Sequence, residues 1–215
     1  MREILLLDNG SRRPQSTLAL RELAAHLSAS LHEHVQPVSL AHSDLISPDR
    51  LAGQAATTLE PLLVDRMRQG IGHFLIIPLF FGPSGALTQA IPALIARLNR
   101  NEGNLEVRLT APLCPLPQGE PRLTAILLDR IVTATRETRL QPRRLVLVDH
   151  GSPSPEVNAT RRWLAADLRS RLEAGTQIEE AAMERRAGPQ YDFNGQLLLA
   201  VLRRLARADG QSPVY

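Results

Sequence analysis

Short runs of consecutive apolar residues alternate along the chain with longer stretches in which apolar positions recur at helical spacing. "FLIIPLF" at 74–80 and "LVLVD" at 145–149 are apolar at neighbouring positions rather than at every second one. A strand reads this way when helices cover both faces of its sheet. Strands are expected over residues 3–7, 35–40, 74–80, 106–109, 144–148 and 178–183, with a last one over 213–215. Helices are expected near 15–34, 50–69, 87–98, 121–139, 155–172 and 193–208. The alternation of strand and helix predicts an α/β fold built on open, doubly wound parallel sheets.

One phrase occurs twice: "ILLLDNGS" at 4–11 and "LVLVDHGS" at 145–152. Each is an apolar strand, an aspartate, one variable residue and Gly-Ser. Asp44 follows Asn9 by 35 positions and Glu184 follows His150 by 34, while Phe74 and Tyr215 each follow by 65. These matched spacings predict two copies of one βαβ-type unit, 1–141 and 142–215, meeting near "RLQPRR". The counterpart of "HFLIIPLFFGPSGA" would only be starting at Tyr215, so the second half is expected to be incomplete.

Composition narrows the function. All 25 basic residues are arginine, and 22 acids leave a formal charge of +3. The arginine pairs at 12–13, 143–144, 161–162, 185–186 and 203–204 lie in separate elements rather than in one tract, and aromatics make up only 3%. Neither feature suits a nucleic-acid surface, and no nucleic-acid partner is expected. A lone cysteine, Cys114 in "APLCPLP", excludes an internal disulfide and a cysteine-based zinc cluster, and reads as a small buried residue. The chain opens directly on a strand pattern, and no apolar run approaches the roughly 18 residues of a membrane span, so a cytoplasmic protein without a membrane partner is expected. Phosphate-loop, GxSxG and HExxH patterns do not occur.

In a parallel sheet, ligands lie beyond the carboxyl ends of the strands, where both Asp-X-Gly-Ser turns fall. Glycine permits the sharp reversal, and the residue before it projects into the crevice. His150 is there either a metal ligand or general base, or simply part of a turn that caps the next helix. Asn9 reads as a turn former. His26, His32 and His34 read as surface residues, His42 as part of a solvated loop near the same edge, and His73 stands at the amino end of its strand. Trp163, Tyr191 and Phe193 read as packing residues.

Together "LLLDNGSRRP", "IIPLFFGPSGALTQAIPALIARL", "LEVRLTAPLCP" and "LVLVDHGSPSP" resemble the class II tetrapyrrole chelatases, the sirohydrochlorin cobaltochelatase and ferrochelatase group often called CbiX or SirB. The resemblance covers nearly all of the first half and the start of the second. It implies a pair of similar flavodoxin-like halves, fused in one chain or formed by a homodimer; association with a second copy is left open here. Asn9 stands at the family's first histidine and Ala86 at the histidine closing the "VPLF" motif, so the first half lacks both. His150 matches the first histidine in the second half, and Glu184 stands where the family places an acid after the second strand.

What the resemblance implies is insertion of a divalent metal, Co²⁺ or Fe²⁺, into sirohydrochlorin for cobalamin or sirohaem synthesis. The metal is a substrate, and no organic cofactor is expected. A neutral imidazole at 150 and a carboxylate at 184 suit metal handling and removal of pyrrole protons. Arg185 and Arg186, with Ser152 in the turn, are the expected contacts to a macrocycle bearing eight carboxylates. Their plainer reading is a solvated charged loop. The alternative function is a non-catalytic chelatase-like protein that binds a tetrapyrrole or a metal; a third is a flavodoxin-like binder of another small anion.

Overall fold

A computed structural model describes residues 2–139, 143–173, 175–208 and 214. Packing divides the chain into two compact units, Met1–Leu113 and Cys114–Tyr215.

In the first unit, β1 (Arg2–Asp8), β2 (Val35–Ser39), β3 (His73–Pro78) and β4 (Glu106–Leu109) form a parallel sheet in the order β2-β1-β3-β4. Four consecutive residues of β1, Ile4 to Leu7, are buried, and they divide by parity between two cores. Ile4 and Leu6 meet Leu20 and Ala24 of α1 (Pro14–Leu31) on one face. Leu5 and Leu7 meet Leu59 and Leu63 of α2 (Leu59–Arg68) and Ile91 and Leu98 of α3 (Ile91–Glu102) on the other. Helices on both faces are why the strand is apolar throughout rather than alternating. Strand order reverses between β1 and β3, which places a crevice above their carboxyl ends.

The second unit repeats the opening of the first. Strand β5 (Arg144–Asp149) pairs in parallel with β6 (Gln177–Ala182), from Arg144↔Gln177 to Asp149↔Ala182. Leu145 packs with Ala165 and Leu168 of α5 (Pro155–Arg171), against Leu128 and Ile131 of α4 (Pro121–Thr138). On the other face Val146 and Val148 pack with Val201 and Leu205 of α6 (Leu198–Ala208). Thus α5 corresponds to α1 and α6 to α2. The α/β class and the parallel sheets are as the pattern of apolar positions predicts.

Two local expectations change. The expected helix over 50–69 is a short 3-10 turn at Pro48–Leu51 followed by α2, and the one over 193–208 is a 3-10 turn at Pro189–Asn194 followed by α6. In both places the intervening backbone is drawn to a strand end instead: the Ser39 N–H donates to Thr57 O at 2.9 Å, and that of Ala182 to Gln196 O at 3.0 Å. Parallel bridges Ser39↔Thr58 and Ala182↔Leu197 mark the two equivalent sites. In the last expected strand only Val214 is described, bridging Arg144 as Phe74 pairs with Glu3 in the first unit; residues 213 and 215 lie outside the described residues. The packing boundary after Leu113 leaves α4 against α5 in the second compact unit. Residues 140–142 of the expected "RLQPRR" junction lie outside the described residues.

Candidate metal-handling site

The two Asp-X-Gly-Ser turns have the same construction. Gly10 has φ 83° and Gly151 φ 95°, the left-handed region that glycine enters without steric cost. Backbone passes directly over each: a Cβ on Gly10 would lie 1.7 Å from the Ala41 carbonyl oxygen. In both turns the serine hydroxyl accepts a backbone N–H two residues on, Ser11 from Arg13 at 3.1 Å and Ser152 from Ser154 at 3.0 Å. Pro14 and Pro155 then open α1 and α5, where a missing N–H costs nothing.

Strand register decides what faces the variable residue. Asn9 O accepts the N–H of Ala41 at 3.3 Å, and His150 O accepts that of Glu184 at 3.1 Å. The first-unit counterpart of Glu184 is therefore Ala41 and not Asp44, which the sequence spacing suggested. Asp44 lies in a short 3-10 turn, exposed, beyond His42, itself exposed at φ 69°. Asn9 is exposed, and Ala86 opens a π-helical turn leading into α3. The first unit thus places an amide and a methyl group where the second places an imidazole and a carboxylate.

In the second unit His150 Nε2 stands 3.0 Å from Glu184 Oε1, and the two side chains are 75% and 72% exposed. A contact so exposed contributes at most about 1 kcal/mol, so the backbone pairing of the two turns, not mutual attraction, brings these groups together. An open groove of about 270 Å³ adjoins them, lined by Gly151, Ser152, Glu184, Arg185 and Arg186. All five residues singled out from the sequence, His150, Ser152, Glu184, Arg185 and Arg186, therefore share one strand-end surface. The arginines are not simply solvated: Arg185 Nη1 donates to Asp192 Oδ1 at 3.1 Å and to Gly195 O at 3.3 Å, and the Arg186 guanidinium lies 5.9 Å from the centre of the Tyr191 ring.

The support beneath the turn is not legible in the sequence. Asp149 Oδ1 accepts the Gly151 N–H at 3.0 Å and Arg161 Nη1 at 2.5 Å. Asn194, fully buried, accepts the Ser152 N–H at 3.0 Å and donates to Ser152 O at 2.9 Å. One signal for Arg161 existed: it shares a helical stripe with Leu164, Ala165 and Leu168, where a charge is out of place unless it is paired. Nothing comparable marks Asn194.

In the first unit, burial raises the Asp8 carboxyl above its ordinary range, only partly offset by hydrogen bonds from Ser39 and the Gly10 backbone, and Asp8 Oδ1 is buried without a partner. His26, His32 and His34 are exposed, as expected, and His73 lies at the amino end of β3, 3.1 Å from Glu106. Cys114 is buried and free, and burial raises its thiol. Among the described residues no group of three or more His, Cys, Asp or Glu side chains is placed to cage a metal. An imidazole with one carboxylate leaves most of a metal's coordination sphere to the incoming ligand, which suits transfer rather than storage. No described helix is long and apolar enough to cross a membrane.

The model of the CbiX family matches residues 3–134. The chain is similar to the structure of SirB from Bacillus subtilis with Fe3+, at 18% identity and a TM-score of 0.66 over 100% of this chain and 86% of that one. It is similar to the sirohydrochlorin chelatase SirB from Bacillus subtilis subspecies spizizenii in complex with cobalt, at 12% identity and a TM-score of 0.59, covering 99% of this chain and 86% of that one. It is also similar to CbiX, described as the terminal enzyme for biosynthesis of siroheme in denitrifying bacteria, at 19% identity and a TM-score of 0.57 over 97% and 99% of the two chains. At these identities the likeness is one of fold. No curated protein matches the chain.

Proposed function

The chain belongs to the CbiX family, and we propose that its second unit is a chelatase centre that inserts a divalent metal, Co²⁺ or Fe²⁺, into sirohydrochlorin in the cytoplasm, in cobalamin or sirohaem synthesis. The observation that carries this reading is the His150–Glu184 pair, 3.0 Å apart and open to solvent at the carboxyl edge of β5 and β6. The reaction exchanges one M²⁺ for two pyrrole protons. The His150 imidazole can offer a ring-nitrogen lone pair to the incoming metal, and the Glu184 carboxylate oxygens can hold the cation beside it. When the metal moves to the macrocycle, the same two groups are free to accept the departing protons. Arg185 and Arg186 supply planar cations for the substrate's carboxylates, and Asp192 and Tyr191 hold them at the groove before substrate arrives. The metals named for the similar structures, iron and cobalt, are both compatible with an imidazole–carboxylate donor set. We further propose that the two halves are copies of one unit whose duplicated segments meet near 141/142.

A second reading, a non-catalytic protein that binds a tetrapyrrole or metal, is favoured by one observation: the half matched by the family model carries Asn9 and Ala86 in place of the family histidines. Mixing the protein with sirohydrochlorin and Co²⁺ and following the macrocycle absorbance separates the two. Insertion faster than the uncatalysed rate, lowered at least about 100-fold by His150→Ala, is expected of the chelatase. Tight binding with no acceleration supports the second reading.

A further inference from the structure

We infer that Arg161 is a positioning residue, a buried guanidinium that sets the separation of His150, Glu184 and the groove arginines without touching any of them; this deepens the chelatase reading and rests on it. Arg161 is 5% exposed. Its Nη1 donates to Asp149 Oδ1 at 2.5 Å and to Ala181 O at 3.0 Å, and its Nη2 donates to Asn194 O at 2.8 Å. One planar group thereby ties together three segments: the end of β5, the end of β6, and the 3-10 turn Pro189–Asn194.

Each segment carries part of the site. His150 lies between Asp149, held by Arg161, and Gly151, whose N–H is held by Asp149. Glu184 follows three residues after Ala181. Tyr191 and Asp192, the partners of Arg186 and Arg185, lie in the 3-10 turn. Asn194 closes the ring, because its side chain grips both the N–H and the carbonyl of Ser152 while its own carbonyl is held by Arg161.

Packing alone does not call for this residue. Arg161 is the seventh residue of α5, and the seventh of α1 is Leu20, only 3% exposed in the equivalent place. A leucine fills that position without a charge to desolvate, whereas Arg161 Nε is buried with no hydrogen bond and only a looser ion pair to Glu180 Oε2 at 3.6 Å, a cost that packing does not repay. The unit with Asn9 and Ala41 has the leucine, and the unit with His150 and Glu184 has the arginine. Only a planar five-donor fork serves the carboxylate and two carbonyls at once.

The test uses the full chain and its Arg161→Leu variant, which installs the residue the first unit tolerates, with Arg161→Lys and His150→Ala alongside. Cobalt insertion into sirohydrochlorin is measured together with hydrogen exchange at the Gly151 and Ser152 amides. Arg161→Leu is expected to lower kcat at least tenfold and to speed exchange at those two amides at least tenfold, leaving Val146 and Val148 in mid-β5 unchanged. Arg161→Lys, which keeps the charge but loses the fork, should recover part of both losses. A folded Arg161→Leu protein with parental kcat, or exchange quickened equally throughout the second unit, overturns the proposal. If the leucine variant does not fold, the lysine variant carries the test, and parental kcat with parental exchange overturns it. Parental activity in His150→Ala sinks the chelatase reading itself, whereas the exchange measurements still report whether Arg161 orders the turn.

Discussion

A Cβ placed on Gly151 would lie 1.9 Å from the carbonyl oxygen of Glu184. The neighbour is backbone at the end of a paired strand, and it is the same stretch of backbone that carries the Glu184 side chain. Gly151→Ala therefore forces β5 and β6 apart at the point where His150 faces Glu184, in addition to straining a φ of 95°. A stability loss of about 2–4 kcal/mol is expected, with chelation falling at least tenfold. Thermal melting and the insertion assay check both, and a melting temperature equal to the parent's would contradict the geometry.

The aspartates beginning the two turns should respond oppositely to the same substitution. Asp8 is raised by burial, so its folded form holds the proton to higher pH than the unfolded chain. Its contribution to stability is full below the ordinary value of 3.8 and is lost as pH rises through the raised value. Asp8→Asn removes that loss. It should melt at or above the parent at pH 7, with the advantage shrinking as pH is lowered.

Asp149→Asn, by contrast, removes the nearer of two carboxylates beside the buried Arg161 guanidinium and leaves it Glu180 Oε2, 3.6 Å from Nε, so a loss of about 1–3 kcal/mol is expected at neutral pH. A pair of urea titrations at pH 7 reads both signs.

Glu120 caps α4, accepting the Arg122 side chain at 2.7 and 2.8 Å and the Arg122 backbone N–H at 3.1 Å. These hydrogen bonds, the side-chain ones first, hold its carboxyl down at about 2. The stability they supply is present above the ordinary value of 4.5 and is lost as pH falls toward 2. Glu120→Gln should therefore melt below the parent at pH 7, and the two curves should converge near pH 2. Melting temperatures across that range test the sign; a gap that widens on acidification would refute it.

The correspondence of Ala41 with Glu184 can be read out by transplantation. Asn9→His alone should add little metal affinity, since the backbone pairing sets the methyl group of Ala41 opposite position 9. Asn9→His with Ala41→Glu should create a second Co²⁺ site, raising stoichiometry from one to two by equilibrium dialysis. Asn9→His with the native Asp44 equalling the double variant would show that the spacing-based pairing was right and the register-based one wrong.

Much of this architecture is written in the order of residues. Consecutive apolar runs such as Ile4–Leu7 require a sheet covered on both faces, because no half-exposed strand buries every position. Glycine after the variable residue requires a tight turn at the strand end, and the family resemblance, not the spacing, singles out the acid at 184 beside His150.

Other features exist only once the chain is folded, because they depend on which backbone lies beside which. Asp44 and Ala41 are three residues apart in sequence, and only parallel register places Ala41 over Gly10. Leu128 and Ile131 of α4 meet Ala165 and Leu168 of α5, a contact that no local pattern announces. Arg161 reads as one more charged helix residue, and Asn194 as one more loop amide, until burial leaves each to satisfy backbone and carboxylate groups that water can no longer reach. Periodicity reports which face is apolar; it carries no information about which distant polar group a buried side chain will meet.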